Sequence, residues 1–434
     1  MRWVVLGIRF LHIVVISAWM IAAWCVRRLF LMGGSVDEKE QLLGRYLARL
    51  LSHLGATFIK FGQILSTRPD LLPPGVIQEL SRLQDDVPPL RFERVRAVLA
   101  SELDDEWPSR LSEFEETPVA AASVAQVHRA RLSDGRSVAV KVQRPEARSQ
   151  IERDLLILGF WARLLDRIPS IRMLSLPGSV ERFGHALTGQ LDFTQEARNN
   201  RRFATAFADV PNVDVPGLVE ELCTPRVLVM DFVEGVKATQ PEKVGGDRAK
   251  LARTGGEAVL KMIFNDGFVH ADLHPGNIIL TGDDRVVLID LGMVSEIPQE
   301  LLRPWVETFI ALSQRDGETA ARLFFTYAPT VGNTDYAAFC ADVKRHLDSL
   351  YGKRLGEVEI SAAVSGMMNV LRKHHVQIDP AFTVVNIALL VAEGLGKQLD
   401  PEIDLVPLAQ PYLAMAMLSA PPARAPHRTV PAAA

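Results

Sequence analysis

Three polar side chains near the middle of the chain have the order and spacing of a kinase-type phosphoryl-transfer site. The segment FVHADLHPGNIIL (268–280) contains Asp272 and Asn277, and the strand-like run RVVLIDLG (285–292) contains Asp290 in a D-x-G motif. Phosphoryl transfer needs metal ions that neutralise the phosphate oxygens and a carboxylate beside the attacking hydroxyl or water. Two aspartates and an asparagine can supply these parts. The competing interpretation, a polar loop whose side chains only cap turns, explains the complete set less well.

A lysine farther upstream could hold the nucleotide. Lys141 lies in SVAVKVQRP, so a β-strand would point its side chain to one face of a sheet and its apolar neighbours to the other. If that face lines a cleft, the ammonium can bind the α and β phosphates, and Glu196 in QLDFTQEARNN is the best candidate to fix its position. The alternative is a solvated lysine on an edge strand beside a surface glutamate.

The segment PVAAASVAQVH (118–128), just before Lys141, could form a phosphate-binding turn from Ala120, Ala121, Ala122 and Ser123. Backbone amides in a tight turn can cradle phosphate oxygens. Protein kinases use glycines there. Because alanine restricts φ, we expect nucleotide selectivity or affinity to differ from that of an ordinary kinase. A plain alanine-rich helix start is the alternative.

The segment FIKFGQILSTRPD places Lys60 and Gln63 three residues apart, so on a helix they share a face. Both flank Gly62, and a glycine inside a helix usually has a packing or close-approach reason. Periodicity alone favours a solvated helical face at these two positions.

The elements that must position these residues follow from periodicity and turn signals. Residues 38–86 have a helical pattern that the proline-rich stretch 69–75 interrupts. A hairpin with a Ser-Asp-Gly-Arg turn, two long helices and a short buried strand follow, at 127–143, 151–167, 179–207 and 226–230. Most of the remaining chain is helical, and the segment 420–434, rich in Pro, Ala and Arg, predicts a disordered tail. A small β-containing lobe before a larger helical lobe would hold a nucleotide in a cleft.

Composition excludes several classes of protein. The chain has 434 residues, 48% of them apolar and 23% charged, as in a globular protein with a generous core. Its formal net charge of −4 gives no reason to expect a nucleic-acid partner. The three cysteines are far apart and form no C-x-x-C pair, which argues against a disulfide framework or a zinc site and suits a reducing compartment.

The N-terminus contains an apolar run, residues 10–26, in which only His12 and Ser17 are polar. At about 1.5 Å per residue it barely crosses a hydrocarbon core of about 30 Å, and Arg9 could snorkel if the span began earlier. No small-residue cleavage site follows, so a removable signal peptide is not expected. We favour a single membrane anchor or an interfacial helix over a helix buried on the protein's own surface. The basic flanks favour the cytoplasmic face of a membrane.

Taken together, the motifs resemble the UbiB/AarF family of atypical kinases. They are K-x-G-Q at 60–63, the AAAS turn, VAVKVQRP, QLDFTQEA, HADLHPGN and IDLG, and the resemblance runs from about residue 40 to 295, with compatible helical sequence to about 400. HADLHPGN alone is shared with small-molecule kinases of the aminoglycoside-phosphotransferase type, whereas the K-x-G-Q helix and the alanine turn are not.

The resemblance implies an α+β, protein-kinase-like, two-lobed fold with a helical N-terminal extension over the active site. The expected divisions are a membrane-associated helix, the extension, the small lobe, the helical lobe and a C-terminal segment, at residues 1–32, 33–117, 118–233, 234–400 and 401–434. It also implies ATP with Mg²⁺ or Mn²⁺, ATPase activity, and a role linked to membrane isoprenoid lipids, most often ubiquinone biosynthesis. The expected partners are ATP, a membrane lipid or isoprenoid quinone precursor, and quinone-biosynthesis proteins.

Site roles carry over by position. Lys141 and Glu196 would form the nucleotide-holding ion pair, Asp272 would be the catalytic aspartate, and Asn277 and Asp290 would bind the metal. The backbone of a hinge would meet adenine, at Met230, Asp231, Phe232 and Val233. On the extension, Lys60 and Gln63 would project into the site and hinder access of a protein substrate.

Two positions depart from the family pattern. The family's E-x-D motif reads Gln190-Leu191-Asp192, so Lys60 could make at most a charge–dipole hydrogen bond to its first position. This weakens the expected clamp on the extension. Leu291 replaces the phenylalanine of D-F-G, a conservative apolar change.

Three functions compete. The leading hypothesis is an ATP-dependent enzyme of the UbiB type that acts at a membrane. A small-molecule kinase of the aminoglycoside-phosphotransferase type would need a cleft open to polar acceptors. A non-catalytic nucleotide-binding scaffold would function without Asp272 and Asp290.

Overall fold

The computed structural model describes residues 2–29, 35–66, 72–83, 88–167, 176–332, 334–350, 360–419, 421, 425 and 427–429. The chain divides into two units. The first consists of Met1–Arg198 and Gly217–Phe232, and the second of Asn199–Pro216 and Val233–Ala434. The sequence-based divisions at residues 118 and 233 stay predictions, and the second unit also takes in a segment that they assigned to the small lobe.

Helices form most of the described chain. They are α1 (Arg2–Leu29), α2 (Val36–Leu54), α3 (Ala56–Ser66), α4 (Pro74–Leu80), α5 (Phe92–Leu103), α6 (Trp107–Arg110), α7 (Ala147–Leu165), α8 (Leu176–Gly189), α9 (Phe193–Phe207), α10 (Arg248–Phe264), α11 (Gln299–Ser313), α12 (Gly317–Tyr327), α13 (Tyr336–Ser349), α14 (Ile360–Lys373), α15 (Pro380–Leu399) and α16 (Leu405–Ser419). Short 3₁₀ turns cover Glu220–Leu222, Pro241–Lys243 and Pro275–Asn277.

The strands are short apart from one hairpin. They are β1 (Leu111–Ser112), β2 (Ala120–Ala121), β3 (Ala125–Leu132), β4 (Ser137–Gln143), β5 (Val213–Asp214), β6 (Val227–Asp231), β7 (Val236–Lys237), β8 (Phe268–His270), β9 (Ile278–Leu280), β10 (Val286–Leu288) and β11 (Val294–Glu296).

An antiparallel sheet of order β1-β3-β4-β6, with β2 also paired to β3, lies in the first unit. The predicted hairpin is confirmed as β3 and β4. In its turn Gly135 has φ +90°, a conformation that glycine adopts without steric cost. The strand predicted at 226–230 is β6, shifted by one residue.

The helical extension has a break that periodicity did not predict. Gly55, with φ +93°, ends α2 and donates its N–H to the carbonyls of Leu51 and Ser52 before α3 begins. The apolar spacing continues across this glycine, so the pattern alone reads as one helix. Of the predicted break at 69–75, residues 69–71 lie outside the described part of the chain.

Gly62 lies close to two leucine side chains, which agrees with a packing reason for a glycine at this position. A Cβ atom there would lie 2.4 Å from Cδ1 of Leu83 and 2.7 Å from Cδ1 of Leu51. Both leucines belong to the apolar cluster that joins α1, α2, α3, α4 and α7.

The single helix predicted over 179–207 is wrong, because the chain turns at Gln190–Asp192 between α8 and α9. The Asp192 carboxylate accepts hydrogen bonds from the N–H and the hydroxyl of Thr194, at 3.0 and 2.7 Å. An aspartate that satisfies donors at a helix start favours a new helix over continuation of the old one.

Helix α1 is apolar on both faces. By length and composition its segment Val4–Leu29 could cross a membrane. Its inner face packs into the apolar cluster of the extension through Leu6, Phe10, Ile13 and Ile16. Its outer side chains are exposed, with Ile8 at 66% and Trp19 at 62%. A second helix, Ala381–Leu399, passes the same test but is mostly buried in the core of the second unit.

Arg9 attaches α1 to the rest of the first unit instead of reaching toward lipid headgroups. Its Nε lies 2.8 Å from Oδ1 of Asp154 on α7, and its Nη2 lies 3.0 Å from Oδ2. Nη2 also donates to the carbonyl of Leu54 at the end of α2, at 2.6 Å. The Asp154 side chain is only 1% exposed, so this aspartate is buried with its charge paired.

The second unit has a sheet of order β5-β10-β9-β7 and a separate β8–β11 pair. Apolar side chains of α10, α15 and α16 form one apolar cluster with those of β8, β9 and β10. A second apolar cluster joins α11, α12, α13 and α14.

The disorder predicted over 420–434 stays a prediction, although two residues of this segment that the structure describes make hydrogen bonds. The N–H of His427 donates to the carbonyl of Thr326 at 2.9 Å. Nη1 of Arg428 donates to the carbonyls of Phe325 and Ala328, at 3.1 and 2.9 Å, and thereby uses acceptors at the end of α12.

We predict that Arg9→Met lowers the free energy of unfolding by about 3–5 kcal/mol, because it leaves the buried Asp154 carboxylate without its partner. Denaturant unfolding of the detergent-solubilised protein measures this loss. Arg27→Met, which removes an exposed arginine from the same helix, is the matched control. The double variant Arg9→Met/Asp154→Leu should recover most of the loss. Equal stability of Arg9→Met and Arg27→Met would contradict the prediction.

Candidate active site

The structure brings Lys141 and Glu196 together. Nζ of Lys141 lies 2.8 and 2.9 Å from the two carboxylate oxygens of Glu196, which lies in the first turn of α9. Their side chains are 12% and 6% exposed. The edge-strand alternative for Lys141 is wrong, since β4 is hydrogen-bonded to β3 on one side and to β6 on the other.

Strand alternation explains why the lysine points where it does. Val138, Val140 and Val142 are fully buried and face the core that α5 covers. Lys141 points to the opposite face of β4, where its ammonium lies 5.4 Å from the ring centroid of Phe193. Because Phe193 is the first residue of α9, this contact places the Lys141 ammonium beside the start of that helix.

The alanine segment forms a strand and a turn rather than a helix start. Ala120 and Ala121 pair with Val127 and Gln126 of β3. The N–H of Ala122 donates to the carbonyl of Ala125 at 2.8 Å, and its carbonyl accepts from Nε of Arg144 at 2.7 Å. Ser123 at the tip of this turn is buried. The phosphate contact expected of these residues stays a prediction.

The expected hinge begins at the end of β6. Met230 and Asp231 are its last residues, and the N–H of Phe232 donates to the carbonyl of Ser137 at 3.0 Å. The guanidinium carbon of Arg129 lies 4.3 Å from the centre of the Phe232 ring. The first unit ends at Phe232 and the second resumes at Val233. Adenine binding here stays a prediction.

Backbone and amide hydrogen bonds hold the loop that carries Asp272 and Asn277 in the second unit. The Asn277 Nδ2 donates to the carbonyl of Asp272 at 3.1 Å, and the carbonyl of Asn277 accepts from the N–H of Ile289 at 2.9 Å. Ile289 directly precedes Asp290, so these bonds tie the start of the D-L-G motif to the loop. Because Nδ2 donates, Oδ1 is the atom of this amide that could bind a metal ion.

Asp290 has a left-handed backbone conformation, with φ +56°. Non-glycine residues adopt this region at a cost, and such residues concentrate at functional sites. The next residue, Leu291, is buried, and its carbonyl accepts from Nδ2 of Asn199 at 2.8 Å. Sequence reasoning missed Asn199 as a residue that positions the motif, although it lies in the same QEARNN segment as Glu196.

His270 supports the Asp272 loop as a neutral imidazole. Its Nδ1 accepts from the N–H of Asp272 at 3.1 Å, which leaves the Nε2–H to donate to the carbonyl of Ile289 at 3.3 Å. Burial lowers the pKa of His270, because the charged ring would lose its hydration. A proton on Nδ1 would also remove the acceptor that holds the Asp272 backbone.

The donor set fits a hard divalent cation. The carboxylate of Asp290 and the amide oxygen of Asn277, the two predicted metal ligands, are oxygen donors of the kind that Mg²⁺ and Mn²⁺ prefer. Over the described residues, no group of three or more His, Cys, Asp or Glu side chains is placed to hold a metal ion. A site built from these residues would therefore take further ligands from water and phosphate, as Mg²⁺ usually does.

The remaining predicted residues lie on the extension and at the turn before α9. Nε2 of Gln63 donates to the carbonyl of Leu83 at 3.1 Å, so part of this amide joins two segments of the extension. Lys60 lies one turn earlier on α3 and is partly buried. Gln190 is in the turn at which Asp192 caps α9. The proposed roles of Lys60, Gln63, Gln190 and Asp192 in controlling access stay predictions.

Comparison with known proteins identifies the family. The model of the ABC1 atypical kinase-like domain matches residues 82–324, and the model of the UbiB helical domain matches residues 343–404. Proteins named probable protein kinase UbiB are 35% identical over 369 residues in Aeromonas hydrophila and 34% over 384 residues in Azotobacter vinelandii. These alignments cover 83% and 87% of this chain and 68% and 72% of the relatives. The chain belongs to the UbiB/AarF family of atypical kinases.

A solved structure supports the fold. The Mycobacterium tuberculosis protein Rv3197, determined in complex with erythromycin, is similar with a TM-score of 0.51 and 23% identity. The similarity covers 86% of this chain and 98% of that one. The predicted α+β, protein-kinase-like fold is confirmed.

We predict that stability falls as the pH drops below about 6.5, the ordinary pKa of histidine. The pKa of His270 is lowered in the folded protein, so in this range the unfolded chain binds a proton that the folded protein does not. His270→Gln should therefore make the free energy of unfolding less dependent on pH between about 6.5 and 5. His128, whose pKa burial also lowers, should retain part of the slope. Identical slopes for wild type and His270→Gln would refute this account.

Proposed function

We propose that this chain is an ATP-binding atypical kinase or ATPase of the UbiB type that acts at a membrane and supports isoprenoid quinone (ubiquinone) biosynthesis or lipid homeostasis. The observation that carries the proposal is the nearly buried Lys141–Glu196 pair. A buried ion pair is often no more stabilising than an apolar pair of the same size. A function for the lysine ammonium, such as binding phosphate, explains better why a charge is placed inside a sheet.

Each residue has a distinct role in this proposal. Lys141 binds the α and β phosphates, and Glu196 holds its ammonium in place. Asn277 and Asp290 would hold Mg²⁺ or Mn²⁺, which supplies charge neutralisation at the phosphate oxygens. The Asp272 carboxylate lies beside the attacking oxygen, orients it and accepts its proton. The neutral imidazole of His270 keeps the Asp272 backbone in position.

In this proposal the phosphoryl group is transferred to water rather than to a protein. The extension that carries Lys60 and Gln63 would hinder a protein substrate, and the alanine turn differs from the glycine loop of protein kinases. ATP hydrolysis would then be coupled to extraction or presentation of hydrophobic quinone precursors. A small-molecule kinase would instead transfer the phosphoryl group to a soluble acceptor.

The exposed face of α1 supports action at a membrane. Large apolar side chains such as Ile8, Leu11 and Trp19 are exposed along it, and Arg27 and Arg28 lie in its last turn. Leu156 and Phe160 of α7 are also exposed, and Phe160 makes an edge contact with Phe10 of α1 at 5.9 Å between ring centroids. An apolar surface with basic residues at its end suits the anionic cytoplasmic face of a membrane.

We predict that Asp290→Asn lowers ATP hydrolysis by the purified protein on the order of 100-fold, because it removes a charge that holds the metal at the phosphates. The rate is measured with Mg²⁺ and with isoprenoid-like lipid or detergent present. Asp283→Asn, on the exposed turn before β10, is the matched control and should keep the wild-type rate.

Equal rates of ATP hydrolysis by Asp290→Asn and wild type would contradict the proposal that the protein is an enzyme. Stoichiometric transfer of labelled phosphate to a soluble metabolite would favour the small-molecule kinase. Quinone profiling of a deletion strain complemented with each variant tests the cellular role. If Asp272→Asn and Asp290→Asn both restore quinone levels, the scaffold function is correct.

We predict that the purified protein co-sediments with vesicles containing phosphatidylserine and that Leu11→Glu/Trp19→Glu loses at least about tenfold in affinity, because it places charge on the apolar face. Val36→Glu is the control, since this residue is also highly exposed but lies on α2. Unchanged binding of the α1 variant would contradict a lipid contact there. Resistance to alkaline carbonate extraction would distinguish a spanning helix from an interfacial one.

A further inference from the structure

A large cavity lies in the second unit where its two apolar clusters meet. Its volume is about 600 Å³, within the range of small-molecule binding sites. Its walls come from the seven helices α10 to α16, and Phe382 packs against both clusters beside it. None of the predicted phosphoryl-transfer residues lines it.

The interior of this cavity is apolar and adaptable. Phe264, Leu389 and Leu405 are buried in its walls, together with Met367 and Met368 on α14. Methionine side chains are flexible and polarisable, so they can adjust to an apolar ligand. A long hydrocarbon chain is the ligand that such a lining suits.

One buried amide points to a polar group on that ligand. Asn386 on α15 lines the cavity and is only 7% exposed. Its side chain makes no hydrogen bond to another residue that the structure describes, and its amide atoms are not fully enclosed by protein, so they keep access to the cavity. Buried amides are nearly always hydrogen-bonded, because an unpaired one loses the hydration that it has in the unfolded chain. A hydroxyl or carbonyl on a bound molecule would satisfy it.

The mouth of the cavity is polar. Ser313, Gln314 and Arg315 at the end of α11 and Gln410 on α16 form part of its lining. Gln314 and Gln410 are exposed to solvent. The cavity thus changes from a polar entrance to an apolar interior with one internal amide, a gradient that matches an amphipathic molecule.

We propose that this cavity binds a molecule with one long apolar chain, of the prenyl or acyl type, and that Asn386 hydrogen-bonds a polar group on it. The proposal does not rest on nucleotide hydrolysis, since it concerns other residues of the second unit. It adds a lipid-chain site within the fold to the lipid contact proposed for α1.

The test is binding of cis-parinaric acid, followed by its fluorescence, to the purified full-length protein without nucleotide or metal. Wild type should bind it saturably, and Ala409→Trp should weaken binding at least about tenfold because the indole fills the cavity. Leu418→Trp is the control, since Leu418 lies on the same helix, is 87% exposed and does not line the cavity. If Ala409→Trp lowers the thermal unfolding temperature, Ala363→Phe, which changes a cavity-lining residue on α14, repeats the test.

Competition experiments identify the type of hydrocarbon chain that binds. Stronger displacement by geranylgeraniol indicates a prenyl ligand, and stronger displacement by palmitic acid indicates an acyl ligand. Asn386→Leu should reduce the preference for hexadecanol over hexadecane, which a purely structural asparagine would not affect. Absence of saturable binding by wild type, or equal binding by Ala409→Trp and Leu418→Trp, overturns the proposal.

Discussion

A lysine inside a β-sheet needs a carboxylate beside it, and several features of the first unit follow from this pairing of Lys141 with Glu196. The strand β4 must be an interior strand, so that one face packs Val138, Val140 and Val142 while the other presents the ammonium. The helix that carries Glu196 must start close to that face. The turn that Asp192 stabilises makes this possible, because it starts α9 directly before Phe193 and Glu196.

In the second unit, the side-chain oxygens of Asp272, Asn277 and Asp290 lie on loops, and the loops must be held in place. Backbone groups do most of this: the carbonyls of Asp272, Asn277 and Ile289 are all used within the same small network. The network needs His270 to be neutral, because its Nδ1 accepts from the Asp272 N–H. The left-handed conformation of Asp290 shows that local strain is tolerated here, which is typical of functional sites.

Apolar surface has two distinct uses in this chain. Helix α1 packs one apolar face on the extension and exposes the other. The ion pair between Arg9 and the buried Asp154 determines which face packs inward. The cavity around Asn386, which is open to solvent on one side, instead lies within the second unit and has a mainly apolar lining. The hydrophobic effect favours removing apolar surface from water, and close packing favours filling voids. Neither the exposed face of α1 nor the open cavity is therefore expected from burial alone.

The sequence by itself determined the motifs and the β3–β4 hairpin, because each depends on residue type and short spacing. It also predicted the pairing of Lys141 with Glu196, 55 residues away, because the combination of motifs is that of a kinase-type site. Only the tertiary structure decided the rest. The apolar period runs through Gly55 and through Gln190–Asp192, since periodicity records which face is apolar and not whether the backbone continues. Arg9 and Asp154 lie 145 residues apart, and Asn386 becomes a candidate ligand group only because seven helices leave a cavity beside it. Such contacts join distant parts of the chain, and local patterns carry no information about them.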